Sequence, residues 1–132
     1  IAEFIQTYGA SVEENLHELW RRIIFNIAIS NVDDHLRNHG FILTDEGWVL
    51  SPAYDLNPST EKNGLSLNID MDNNLLDFNL AISVGKFFRL DQKQMDRIIW
   101  EVLESVSQWE SVADRIGISR AEKELMSGAF KI

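Results

Sequence analysis

The segment SNVDDHLRNHG, residues 30–40, follows directly on the run ENLHELWRRIIFNIAI, residues 14–29. Leu16, Leu19, Trp20, Ile23, Ile24 and Ile27 recur at steps of three and four, the period of one helix face. Ser11 with Glu14 has the spacing of a capping box, so the pattern predicts a helix over roughly residues 12–30. Its second half, IIFNIAI, is apolar on nearly every side, as in a helix at the centre of a helical domain. Two acids, two histidines, an arginine and two asparagines are then gathered where that helix stops. Turn chemistry explains part of this, since Asn and Asp bond their own backbone in loops. The alternative is an active-site loop.

Beyond residue 40, GFILTDEGWVL predicts a small hairpin, with extended runs Phe41–Leu43 and Trp48–Leu50 around a turn of Thr44, Asp45, Glu46 and Gly47. Gly47 is the turn residue able to take a positive φ. SPAYDLNPST, residues 51–60, reads as irregular loop because Pro52 and Pro58 lack an amide donor and turn the preceding residue away from helix. Leu65, Leu67 and Ile69 alternate with Ser66, Asn68 and Asp70, which predicts a short extended piece. From Asp77 the chain reads as helical to its end. Asp77 caps a helix to about Phe87, Asp91 with Gln94 and Ser119 with Glu122 form capping boxes, and Ser111 to Ile118 is expected to be an interhelical turn. The fold class expected is mainly α, with a small β-hairpin insertion that carries the active-site loops.

With 132 residues and 45% of them hydrophobic, the chain suits one domain, residues 1–132, with a substantial core. It starts with Ile, which suggests a piece of a longer protein. The absence of cysteine removes thiolate chemistry and fits a cytoplasmic setting. No window reaches the ~18 apolar residues of a membrane span, so no membrane partner is expected. A net charge of −9, from 21 acids against 12 Lys and Arg, opposes direct nucleic-acid binding, whose affinity comes from cations displacing counterions. Trp20, Trp48, Trp100 and Trp109 are expected in core or hairpin packing, and Asp70, Asp72 and Asp77 on the solvated surface.

Within the loop, Asp33 and Asn38 stand five apart. A carboxylate beside a hydroxyl can accept its proton, and an amide oxygen is a hard ligand suited to Mg²⁺. Magnesium needs a further carboxylate, and Asp55 lies seventeen residues after Asn38, on the far side of the hairpin. An Asp, an Asn five residues on, a short β segment and another Asp is the order protein kinases use. His35 and His39 have four-residue spacing but no HExxH glutamate and no evident third ligand, so zinc is not expected.

FNIAISNVDDHLRNHGFIL, WVLSPAYDLNPS and LSLNIDMDN together resemble the C-terminal lobe of the HipA-type serine/threonine kinases, the toxin halves of bacterial toxin–antitoxin pairs. The match is clearest from Leu19 to Asn73. The resemblance implies Asp33 as catalytic base, Asn38 and Asp55 as magnesium ligands, and His35, Arg37 and Tyr54 as nucleotide neighbours, with ATP as cosubstrate. It further implies a helix-turn-helix antitoxin as partner and an aminoacyl-tRNA synthetase as protein substrate. Asp34 receives no role. A kinase also needs a Gly-rich phosphate loop and a paired Lys from an N-terminal lobe. The glycines here form no G-x-G-x-x-G, and none of Lys62, Lys86, Lys93, Lys123 and Lys131 follows a suitable strand. The chain is thus expected to work with an N-lobe supplied elsewhere. The competing expectation is a noncatalytic helical interaction module that retains the loop as a relic.

Overall fold

A computed structural model of the protein describes residues 1–61 and 64–132, and Lys62 lies outside the described residues. The elements in order are helix α1 (Ala2–Tyr8), helix α2 (Val12–Ala28), strands β1 (Phe41–Thr44) and β2 (Gly47–Leu50), then helices α3 (Phe78–Val84), α4 (Gln92–Ser107), α5 (Trp109–Arg115) and α6 (Arg120–Met126). Short 3₁₀ turns cover Leu36–Asn38, Gly85–Phe88 and Ser127–Ala129. The fold is mainly helical with one antiparallel hairpin, as the periodicities imply. Among the described residues no helix is long and apolar enough to cross a membrane.

Helix α2 is the central element. Leu16, Trp20, Ile24, Ile27 and Ala28 are wholly buried, and α1, α3, α4 and the hairpin pack around it. Trp20 fills the middle of the core, and its Nε1 donates to the Ala81 carbonyl at 2.9 Å, which satisfies the one polar atom of a large buried ring. Between α2 and α4, Glu101 accepts from Arg21 at 2.6 Å and from Arg97 at 2.8 Å. Those bonds, that of Arg21 foremost, hold the Glu101 carboxyl below its ordinary range.

The hairpin pairs Phe41 with Leu50, Ile42 with Val49, Leu43 with Trp48 and Thr44 with Gly47. Gly47 has a φ of +133°, and a Cβ there would lie 3.1 Å from Tyr8 O and Ala10 N, so it serves both the turn and a close approach to the segment after α1. Asp77 caps α3 by accepting from Asn79 N, and the boxes Asp91–Gln94 and Ser119–Glu122 both form.

Four expectations are corrected. Ser11 does precede α2, but with a φ of +48° and no side-chain cap; Asn15 instead holds the preceding chain, its Nδ2 donating to Ala10 O at 2.9 Å and Ser11 O at 3.0 Å. Residues 65–70 form no strand. Leu65 and Ile69 are buried, but their amides donate to Asn74 and Asn73, and that of Ser66 donates to Val32, so no single neighbour supplies a ladder. The Asp70 carboxylate accepts from the amides of Asp72 and Asn73 and reverses the chain there. Residues 111–118 are mostly helix α5. Trp109, Val112, Ala113 and Ile116 share its face, and Gly117, with a φ of +84°, ends it in a Schellman motif in which Ile118 N donates to Ala113 O at 2.9 Å. Trp100, finally, is 65% exposed on α4, whereas Trp109 stacks on Phe130 with ring centroids 4.2 Å apart.

These placements predict opposite outcomes at two tryptophans. Trp20→Phe loses a buried hydrogen bond and indole volume and should cost about 2 kcal/mol, roughly 5–10 °C in thermal midpoint. Trp100→Gln should stay within about 0.5 kcal/mol of the parent in urea unfolding.

Candidate active site

The loop begins where α2 is terminated. Ser30 takes a φ of +52°, Ser30 N donates to Ile27 O at 3.2 Å and Asn31 N to Asn26 O at 2.8 Å, a Schellman motif with serine where glycine is usual. Lys131 N, from the far end of the chain, donates to Ala28 O at 2.7 Å and satisfies another terminal carbonyl. The backbone therefore leaves the helix in a defined direction.

Next comes a buried polar cluster. Asn26 Nδ2 donates to Asp34 Oδ2 at 2.7 Å, and Asn31 Nδ2 donates to Asn26 Oδ1 at 3.0 Å. His39 Nε2 lies 2.9 Å from Asp34 Oδ1; the distance is that of an ion pair, but the alignment is not that of a hydrogen bond, and both ring nitrogens of His39 are buried without one. Asp34 is thus the hub that joins α2 to the two ends of the loop. Beside it, Asn26, Asp34, Leu36 and His39 line part of a cavity of about 230 Å³, which lies behind the loop and has none of Asp33, Asn38 and Asp55 in its wall.

Asp33 is exposed, whereas the neighbouring Asp34 is buried. The 3₁₀ turn Leu36–Asn38 follows, and buried Asn38 donates its Nδ2 to Asp33 O at 3.2 Å, which ties the two residues together. His35 is half-buried with Nδ1 lacking a hydrogen bond, and Arg37 is exposed.

The hairpin returns the chain to this loop. Ser51 N donates to Gly40 O at 2.9 Å, and the contact is close enough that a Cβ on Gly40 would lie 2.8 Å from Ser51 Oγ. Tyr54 hydroxyl donates to Arg37 O at 2.7 Å. The Tyr54–Asp55 segment is thereby tied to the Arg37–Asn38 segment. Asp55 is exposed, has a φ of +57°, and accepts from Asn57 Nδ2 at 2.8 Å.

Two further side chains of α2 hold the returning strand. Asn15 Oδ1 accepts from Leu50 N at 2.7 Å, and Arg22 Nη2 donates to Ser51 O at 2.6 Å. Asn15, Arg22 and Asn26 are spaced by seven and four, so they share one helix face. Sequence reasoning missed Asn15, Arg22, Asn26, Asn31 and Asp34. The polar residues interrupting an otherwise apolar helix at one-face spacing were the available signal.

The donor types suit a hard cation: an amide oxygen at Asn38 and a carboxylate at Asp55 are ligands magnesium accepts, and it characteristically takes only one or two from protein. Among the described residues, no group of three or more His, Cys, Asp or Glu side chains is assembled that could hold a metal without such help.

A family model described as HipA-like C-terminal domain matches residues 1–110, which takes in both loops and ends in α5. No curated protein and no solved structure matches the chain.

Adjacent acids should answer mutation differently. Asp34→Ala strands the buried Asn26 amide and the His39 ring and should cost about 2–4 kcal/mol in denaturant unfolding. Asp33→Asn, on the exposed side, should change stability by less than about 0.5 kcal/mol.

Proposed function

Because the chain belongs to the HipA-like C-terminal domain family, we propose that it is the C-terminal lobe of a serine/threonine protein kinase, which transfers the γ-phosphoryl group of ATP to a protein hydroxyl. The observation that carries this reading is the double tie between loops, Ser51 N to Gly40 O and Tyr54 hydroxyl to Arg37 O. It brings the segment with Asp33 and Asn38 against the segment with Asp55, the order of parts a phosphoryl-transfer site requires.

Asp33, exposed at the mouth of the loop, orients the substrate hydroxyl and accepts its proton. Asn38 and Asp55 are the residues that would hold magnesium, which when bound neutralises charge on the nucleotide phosphates. His35, Arg37 and Tyr54 flank the nucleotide. Arg37 supplies a cation at the edge of a strongly acidic chain, and Tyr54, 45% exposed, offers a ring face beside its anchored hydroxyl. The phosphate cradle and its lysine come from an N-terminal lobe, in the same polypeptide or a partner. A toxin role, a helix-turn-helix antitoxin, an aminoacyl-tRNA synthetase substrate and a cytoplasmic setting extend the same reading.

The test separates base from ligand in the native full-length protein. Asp33→Asn should lower phosphoryl transfer by about 10²–10⁴ with little change in Mg-ATP affinity. Asp55→Asn should lower transfer and also make nucleotide binding less dependent on magnesium. Transfer at the parental rate by both variants would overturn the roles given to Asp33 and Asp55, and absence of transfer by the parent would overturn the kinase reading in favour of a noncatalytic module. By calorimetry, residues 1–132 alone should show no submicromolar Mg-ATP site, since they lack a phosphate cradle.

A further inference from the structure

Arg22 is a buried charge with no part in the chemistry above. Its guanidinium, 8% exposed, sits in the middle of α2 with Nε donating to Glu18 Oε1 at 2.9 Å, Nη2 donating to Ser51 O at 2.6 Å, and Nη1 buried without a hydrogen bond. Glu18 is itself 43% exposed, so the charge pair spans a buried and a solvated end. Such a group is a poor device for stability, because an apolar side chain of similar volume would avoid both the desolvation and the orphaned donor.

Its effect falls on one peptide group. Ser51 is followed by Pro52, and among the described residues no backbone–backbone hydrogen bond fixes residues 52–61. Ser51 is the last residue before Asp55 whose backbone is held by another segment: its N–H is on Gly40 O, two residues after Asn38, and its carbonyl, in the peptide bond to Pro52, is on Arg22. Of the three bonds that set the Asp55 segment against the Asn38 segment, those of Ser51 N and Tyr54 hydroxyl join loop to loop. The Arg22 bond joins Ser51 to the long helix, next to the bond of Leu50 N to Asn15, and unlike that neighbour it is charge-assisted.

We propose that Arg22 is a positioning residue that sets the separation between Asn38 and Asp55, and so the magnesium requirement of the site. This rests on the kinase reading, and a misplacement of about 1 Å at such a site can cost about 10²-fold. The arginine fork matters because its Nε and Nη2 reach Glu18 and Ser51 at once, which a lysine ammonium on its single stem does not do in the same geometry.

The experiment uses Arg22→Met and Arg22→Lys in the native full-length protein, with three measurements. Hydrogen exchange of the Ser51 amide, which is held on Gly40 O, reads loop order without catalysis, thermal unfolding reads stability, and the magnesium concentration for half-maximal phosphoryl transfer reads the site. For Arg22→Met we expect exchange of the Ser51 amide to quicken about tenfold, the thermal midpoint to hold or rise, and the magnesium requirement to rise about tenfold. Arg22→Lys should recover part of the exchange protection and of the magnesium affinity. Unchanged exchange of the Ser51 amide, or a lowered midpoint with faster exchange throughout the molecule, overturns the proposal. So does faster local exchange with an unaltered magnesium requirement. A parent protein that transfers no phosphoryl group is a failure of the kinase reading, visible before any variant is made, and it removes the magnesium role while exchange still reports whether Arg22 orders the loop.

Discussion

One face of α2 is polar and buried, and the site is built on that constraint. A buried amide or guanidinium is costly unless its hydrogen bonds are made. Asn15, Arg22 and Asn26 therefore each hold a specific partner: the Leu50 amide, the Ser51 carbonyl and the Asp34 carboxylate. Apolar contacts tolerate sliding and repacking, whereas these directional bonds do not. The helix that centres the core thus also serves as the ruler against which both loops of the candidate site are set.

The hairpin completes that arrangement at low cost in chain length. A two-stranded ribbon is marginal by itself, and here α1 and the segment after it support it. Gly47 lets α1's trailing segment approach, Ala10 N donates to Trp48 O at 2.8 Å, and Phe4 packs on Phe41 with ring centroids 4.6 Å apart. Its two ends emerge beside each other, so Gly40 and Ser51 meet. At the other end of the chain, Lys131 closes on Ala28 and Phe130 stacks on Trp109, which brings the last residues under the helix terminus that launches the loop. Residues beyond the family match thereby contribute to the same foundation.

Local signals were legible wherever the interaction they describe is local. Asp77, Asp91 with Gln94, and Ser119 with Glu122 cap as their spacing implies, because donor and acceptor lie within one turn. Ser11 with Glu14 has the same spacing and fails, because Ser11 takes a positive φ, while Asn15 donates to the preceding carbonyls and accepts from Leu50. The alternation at 65–69 gave burial of Leu65 and Ile69 but no strand, since a strand needs a neighbour and the backbone there is divided among three. Helix α5 carried its signals, an apolar stripe and a closing glycine, in a stretch short enough to pass for a turn.

From the chain alone followed the mainly helical class, the central helix and the hairpin with its glycine. All of these rest on period, spacing and residue type. Tertiary structure decided which of two adjacent acids faces outward: Asp33 and Asp34 look alike in sequence, and only the packing of the loop on Asn26 and His39 buries the second. It likewise decided that Asn15, Arg22 and Asn26 are anchors, because their partners are contributed by segments the one-dimensional pattern does not bring together.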